Sequence, residues 1–214
     1  MAWIIFVLTF SLIVNKHLIK SFFEGFVKQK ARSEDLKDEK ILNFIKNKTG
    51  LNLQKIKLLD TRTTWGMMAG LPGAPYMIIS KDAYENFSKD ELQWLLLHEA
   101  GHYILWHNFK IIFLQLLFIV LGILILMQFN YLLLGLCLAI VLVIPYTQLA
   151  RKFEYEANDY ALARMDNPEG LKNLYQKAKE RWRKKVKKED SILQRLFSVW
   201  ILEIYKDLNK KATS

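Results

Sequence analysis

Three long apolar runs stand out along the chain and predict helices that span a membrane. They cover residues 2–22, 110–128 and 131–149. The first is uninterrupted only from Ala2 to Val14 and reaches spanning length if it continues past Lys16 and Lys20, whose charged ends would extend toward the membrane surface. The last two carry no charged residue after Lys110. Runs of this length match the hydrocarbon thickness of a bilayer at about 1.5 Å of helix per residue. Only Gln128–Asn130 separates the apolar cores of the last two runs, so we predict a tight antiparallel helical hairpin there.

Each apolar run has an alternative interpretation that involves no membrane-spanning helix. A cleaved signal peptide could account for the first run, but no basic segment precedes it and no small-residue cleavage site follows it. A buried core hairpin could account for the other two, although adjacent uncharged runs of this length are rare in soluble cores. We therefore predict a membrane anchor at 1–23 and a transmembrane hairpin at 110–149, with 24–109 and 150–214 as two parts of one domain outside the membrane.

The polar segments predict a mainly α domain with a small β-sheet, which is an α+β fold. Lys28 to Lys48 has an apolar stripe at helical spacing and is ended by Gly50, and Tyr76–Ser80 is a short strand candidate. Thr61–Pro75 is rich in glycine and proline and is predicted to turn. The other predicted elements are a weak strand, Leu51–Leu59, and three helices, Arg151–Met165, the basic Leu171–Lys188 and the amphipathic Ser191–Leu208, which could pack on the domain or lie on the membrane.

A metal-binding pattern lies on the most strongly predicted helix. Ser88–Glu91 has the form of a capping box and predicts a helix from Leu92 to His107. Within it, His98 and His102 are four residues apart, so their side chains share one helix face and could ligate one zinc ion. Glu99 stands beside them as a candidate general base. Zinc in a catalytic site also needs a third protein ligand and an open fourth position.

Glu154 is the predicted third ligand. An antiparallel hairpin returns the chain to the side that it left, so a residue soon after the hairpin can approach the two histidines. Glu156 and Asp159 are the alternatives. Glu154 and Asn158 would share one helix face, whereas Glu156 would point about 200° away from Glu154.

The charge pattern favours a membrane surface over nucleic acid as the partner of this basic chain. The net charge is +10, and the sequence has no nucleic-acid-binding motif. Basic residues lie near the end of the first run and after it, at positions 16, 20, 28, 30 and 32. Lys110 lies at the start of the second run, and Arg151 and Lys152 follow the third. All fall on one side, which the positive-inside rule makes the cytosol, so the metal site is predicted to be cytosolic. A single cysteine, Cys137, excludes both an intrachain disulfide and a thiolate metal site.

Together these segments resemble the HtpX and CAAX prenyl protease family of integral-membrane zinc metallopeptidases, which are of the gluzincin type. The resemblance implies a multi-pass membrane endopeptidase that cleaves membrane or cytosolic-side proteins. It implies one zinc ion held by His98, His102 and Glu154, with Glu99 as the general base. The matching segments are the glycine-rich stretch and strand Trp65–Ser80, the helix start Ser88–Leu92, the metal motif His98–His102, the two-span insertion and Ala150–Asn158.

The chain departs from the family pattern at two places. Asn158 stands where the family usually has aspartate, and a neutral amide supports a metal ligand less strongly than a carboxylate does. Asp159 could compensate for it. No histidine follows His107, so the family's later His-Pro segment is missing. Three residues are therefore candidates for the group that stabilises the oxyanion: Arg151, Tyr155 and Tyr160.

Three expectations about function complete the prediction. The strand residues Tyr76, Met77, Ile78 and Ile79 could pair with an extended protein substrate by β-augmentation. His107 is expected at the membrane interface, off the ligand face. The alternatives to a peptidase are a non-catalytic, zinc-stabilised membrane sensor or scaffold, which would not need Glu99, and a basic membrane-surface binding protein in which the histidine motif is accidental. The sequence predicts no oligomeric state.

Overall fold

The computed structural model describes residues 33–61, 65–70, 73–129, 132–172, 174, 176–180 and 192–213, without the side chains of 125–144 and 192–201. The predicted first span, the hairpin tip at Asn130 and residues 181–188 of the predicted basic helix lie outside the described residues. The chain forms two compact units. One consists of Asp35–Gly101 and Glu154–Ser214, and the other includes His102–Phe153.

A small mixed sheet lies mostly in the first unit. Its strands are β1 (Ser33–Leu36), β2 (Ile56–Leu59), β3 (Gly66–Ala69) and β4 (Tyr76–Ser80), in the order β1-β2-β4-β3. Strand β4 pairs parallel with β2 and antiparallel with β3. Its central residues, Met77 to Ile79, are almost fully buried, which explains why β4 is a continuous apolar run rather than an alternating one.

The strand predicted at Tyr76–Ser80 is confirmed, but the expectation that it pairs with a substrate is wrong. Pairing by β-augmentation needs a strand with one unoccupied backbone edge. In β4 both edges are occupied along these residues, by β2 on one side and by β3 on the other. In the sheet that the structure describes, the outer strand on this side is β3.

The sequence interpretation also differs from the structure on either side of β2. Residues 33–36, predicted as part of a helix, form β1. Helix α1 (Glu39–Thr49) begins only after Asp38, whose carboxylate accepts hydrogen bonds from two backbone N–H groups of the first turn. The helix ends at Gly50, as predicted, in the left-handed conformation with φ of 75°. The segment predicted to turn, Thr61–Pro75, contains strand β3. Its glycines are typical of turns, so the sequence pattern did not indicate a strand.

Helix α3 (Lys89–Ile104) follows the short helix α2 (Lys81–Asn86) and carries the histidine motif. The predicted capping box is present, since the Ser88 backbone N–H donates to Glu91 and the Glu91 N–H donates to the Ser88 hydroxyl. The helix ends three residues earlier than predicted, because the backbone turns at Trp106, whose φ is 59°.

The core of this unit lies between helix α3 and the C-terminal segments of the chain. These segments are the end of helix α5 (Leu132–Leu162), a 3₁₀ turn (Pro168–Leu171) and helix α6 (Ile192–Ala212). Leu208 and Ala212 on α6 are buried, so this amphipathic helix packs on the domain. The buried core residues are Ala83, Trp94, Leu95, Leu97, Ala161, Met165, Leu171, Leu174, Leu208 and Ala212.

Apolar helices make up the second unit. Helix α4 (His107–Phe129) contains one segment, His107–Leu124, that is long and apolar enough to cross a membrane; no other was found among the described residues. Its large apolar side chains are mostly exposed, for example Phe109 and Phe113. The third predicted span and the helix predicted from Arg151 are a single helix, α5, which continues through Pro145 without a break.

The capping box gives the first testable prediction. Ser88→Ala should lower the free energy of unfolding by about 1 kcal/mol, because a helix N–H loses its acceptor. Chemical unfolding of the detergent-solubilised protein measures this change. Ser88→Thr retains the hydroxyl and should unfold close to wild type; equal destabilisation in both variants would contradict a capping role.

Candidate metal centre

Three side chains on two helices converge on one point. His98 and His102 lie one turn apart on α3, and Glu154 lies on α5. Each offers one ligand atom, and the three atoms lie within 4.8 Å of one another. Two imidazoles and a carboxylate are ligands that zinc accepts, and three of them leave a fourth position open. The alternatives, Glu156 and Asp159, are not part of this group.

The orientation of the His98 ring is set by a buried amide behind it. Asn158 is fully buried, and its Oδ1 accepts a hydrogen bond from Trp94 Nε1 at 3.3 Å. An indole N–H can only donate, so this bond identifies Oδ1 as the acceptor. His98 Nδ1 lies 2.9 Å from the same oxygen and must therefore carry the proton. The lone pair of the ring is then on Nε2, the atom that faces Glu154.

The contact between His98 and Glu154 has the chemistry of a cation site. His98 Nε2 lies 3.4 Å from Glu154 Oε2, so a lone pair faces a carboxylate, and a proton or a metal ion is needed between them. Burial lowers the pKa of His98, but the hydrogen bond and charge of Glu154 and the charge of Glu99 outweigh it and raise this pKa above its ordinary value. The same acceptors that attract this proton would bind zinc, so the residues present fit the metal.

Asn158 forms both of these hydrogen bonds through its side-chain oxygen. Its Nδ2 is buried and has no hydrogen-bond partner in the described part of the chain. An unsatisfied buried donor costs about 1–3 kcal/mol. Aspartate at this position would carry no such donor. Asp159 does not replace it at the metal group, because its exposed carboxylate forms an ion pair with Lys211 on helix α6.

His107 is the site residue that the sequence interpretation missed. It was expected at the membrane interface, but its side chain is fully buried. Its Nδ1 lies 3.0 Å from His102 Nδ1, and its ring stacks on Phe153 with centroids 4.4 Å apart. On an unbroken helix a residue five positions after His102 would point away from it. The turn at Trp106 changes that direction, and no sequence signal predicts such a turn at a tryptophan.

Glu99 is half-buried beside the outer strand of the sheet. A Cβ added to Gly66, the first residue of β3, would lie 3.0 Å from Glu99 Cγ and 3.3 Å from Leu95. A side chain at this position would therefore crowd the side chain of Glu99, the candidate base. The absence of a side chain at Gly66 lets the backbone of β3 run directly alongside Glu99.

The remaining candidates lie on α5. Tyr160 packs against Gly101 on helix α3, and the Arg164 guanidinium lies 3.7 Å from its ring centre. The Nζ atom of Lys211 lies 5.9 Å from the centre of the Tyr155 ring. Arg151 is half-buried on the same helix. All three residues therefore remain candidates for stabilising the oxyanion.

Comparisons with known proteins concern the family and the fold of this chain. The family model described as peptidase family M48 matches residues 64–198. A crystal structure of Ste24p from S. mikatae is similar to this chain, with a TM-score of 0.50 and 20% identity over 74% of this chain. The match covers 46% of the Ste24p chain, less than half of its length, and at this identity the likeness concerns the fold. No curated protein sequence matches this chain.

The ligand group gives the second prediction. Glu154→Ala should reduce bound zinc far below one ion per chain, because two histidines alone bind the ion weakly. Elemental analysis of the purified protein measures this. Glu156→Ala removes a neighbouring carboxylate from the same helix and should retain zinc. Full zinc occupancy in the Glu154 variant would contradict the assignment.

Proposed function

The chain belongs to peptidase family M48, a metallopeptidase family, and on this premise we propose that it is a membrane-bound zinc endopeptidase. It cleaves membrane proteins or proteins on the cytosolic side, with one zinc ion held by His98, His102 and Glu154. The observation that carries the proposal is the convergence of these three ligand atoms within 4.8 Å. Metallopeptidases of this family depend on zinc.

Bound zinc would lower the pKa of a water molecule to about 7 and polarise the scissile carbonyl. The protein's own part begins with His98, whose ring is fixed by Asn158 so that Nε2 can ligate. Glu99 follows His98 directly in the sequence and is not one of the ligand group. In this proposal its carboxylate acts as the general base, which accepts a proton from water and passes it to the leaving amine.

The outer strand β3 is the substrate-binding strand in this proposal, in place of β4. Its residues Gly66 to Ala69 pair with β4 on one side only in the described sheet. An extended substrate would add to the other side through main-chain hydrogen bonds, which give affinity without strict sequence preference. Gly66 supports this assignment, because its missing side chain leaves the strand next to Glu99. A peptide held along β3 would thus lie close to the proposed base.

The exposed apolar side chains of α4 support the proposed membrane location. A contiguous apolar surface of this size is unstable in water and is typical of a lipid-facing helix. These exposed residues are Trp106, Phe109, Ile112, Phe113, Leu116, Leu117, Val120, Leu121 and Leu124. Lys110, Arg151 and Lys152 flank the apolar segments, and by the positive-inside rule they support an active site on the cytosolic side.

Glu99→Gln gives the third prediction. The variant should retain zinc and its fold but lose peptidase activity by about 100-fold or more, because an amide cannot accept the proton. Zinc content and casein cleavage are measured on the same preparations. Activity within a few-fold of wild type would show that Glu99 is not the base. Zinc binding without cleavage by either protein would favour a zinc-stabilised sensor or scaffold.

The fourth prediction concerns the topology. In a Cys137→Ser background, a cysteine at Asn130 should react with a membrane-impermeant reagent from outside the cell. Cysteines at Lys89 and Lys172 should react only after the membrane is opened. Labelling of the Lys89 position from outside would place the active site on the other side of the membrane.

A further inference from the structure

We infer that His107 is a positioning residue that holds His102 in the tautomer and orientation required of a zinc ligand. The inference rests on the proposed zinc site and adds a member to it. His107 is not one of the three ligands, and it lies beyond the end of the ligand helix, as the first residue of α4.

The argument starts from two nitrogen atoms that face each other. His102 Nδ1 and His107 Nδ1 lie 3.0 Å apart, which is hydrogen-bonding distance. Two neutral imidazoles at this distance form the bond only if one nitrogen carries a proton and the other accepts it. A ring that ligates a metal through Nε2 has its proton on Nδ1. His102 is therefore the donor, and His107 Nδ1 is the acceptor.

The surroundings of His107 hold the acceptor in place. Its side chain is fully buried, and its ring is nearly parallel to that of Phe153, with an angle of 8° between the planes. A ring packed in this way cannot rotate without losing the stacking contact. His102 thus has a fixed partner, as His98 has in Asn158. The two histidine ligands are oriented by different groups, an amide for one and an imidazole for the other.

Two variants separate the hydrogen bond from the stacking contact. His107→Asn places an amide oxygen where Nδ1 was and removes the aromatic ring. His107→Phe keeps a ring to stack on Phe153 and removes the acceptor. If His107 acts through the hydrogen bond, the Phe variant should bind zinc about 10–100-fold more weakly than wild type, as is typical when a ligand loses its outer partner. The Asn variant should bind zinc more tightly than the Phe variant and close to wild type.

Zinc dissociation constants are measured by competition with a chromogenic chelator, and the visible spectrum of Co²⁺-substituted protein reports the ligand geometry. Thermal unfolding of the metal-free proteins shows that each variant is folded, and His107→Leu replaces the Phe variant if that one is not. Wild-type affinity in the Phe variant, or an Asn variant as weak as the Phe variant, would overturn the inference. Absence of zinc from the wild-type protein would instead overturn the proposed function.

Discussion

Helix α3 and the last turns of helix α5 are joined by the buried amide of Asn158, whose oxygen accepts hydrogen bonds from Trp94 and His98. These bonds fix the relative position of the two helices, and they fix the tautomer of a candidate metal ligand at the same time. Glu154 lies one turn before Asn158 on the same face of α5. The hydrogen bond between Asn158 and His98 therefore also brings the Glu154 carboxylate close to His98. The packing of the domain and the geometry of the metal site therefore depend on the same interaction.

Tight packing around this interaction leaves little room for larger side chains. Gly101 lies against the ring of Tyr160, where an added Cβ would be 3.1 Å from a ring carbon. Gly66 is equally close to Glu99. Trp94 stands between the site and helix α6, since its ring contacts both His98 and Tyr205. The C-terminal helix thus supports the ligand helix through an aromatic side chain that is also a hydrogen-bond donor to Asn158.

Local patterns in the sequence predicted the features that depend on local rules. The capping box at Ser88, the strand at Tyr76–Ser80 and the end of helix α1 at Gly50 were predicted correctly, because each follows from neighbouring residues. Strand order was not predictable, because pairing on both sides of β4 depends on residues distant in the sequence. Likewise the role of His107 depends on a backbone turn at Trp106, a residue that rarely adopts a positive φ.

Because helix α5 is continuous, it sets the distance between the proposed membrane boundary and the candidate metal ligand Glu154. Arg151, which marks the proposed membrane boundary, precedes Glu154 by three residues, or about 4.5 Å of helix rise. If the proposed peptidase centre lies this close to the lipid surface, it would reach only the first residues of a polypeptide that emerge from the bilayer. An extended chain covers about 3.3–3.6 Å per residue, so a membrane-anchored substrate needs only a short unstructured stretch to be cut. Selection among substrates would then depend on where such a stretch lies along the chain more than on its side chains.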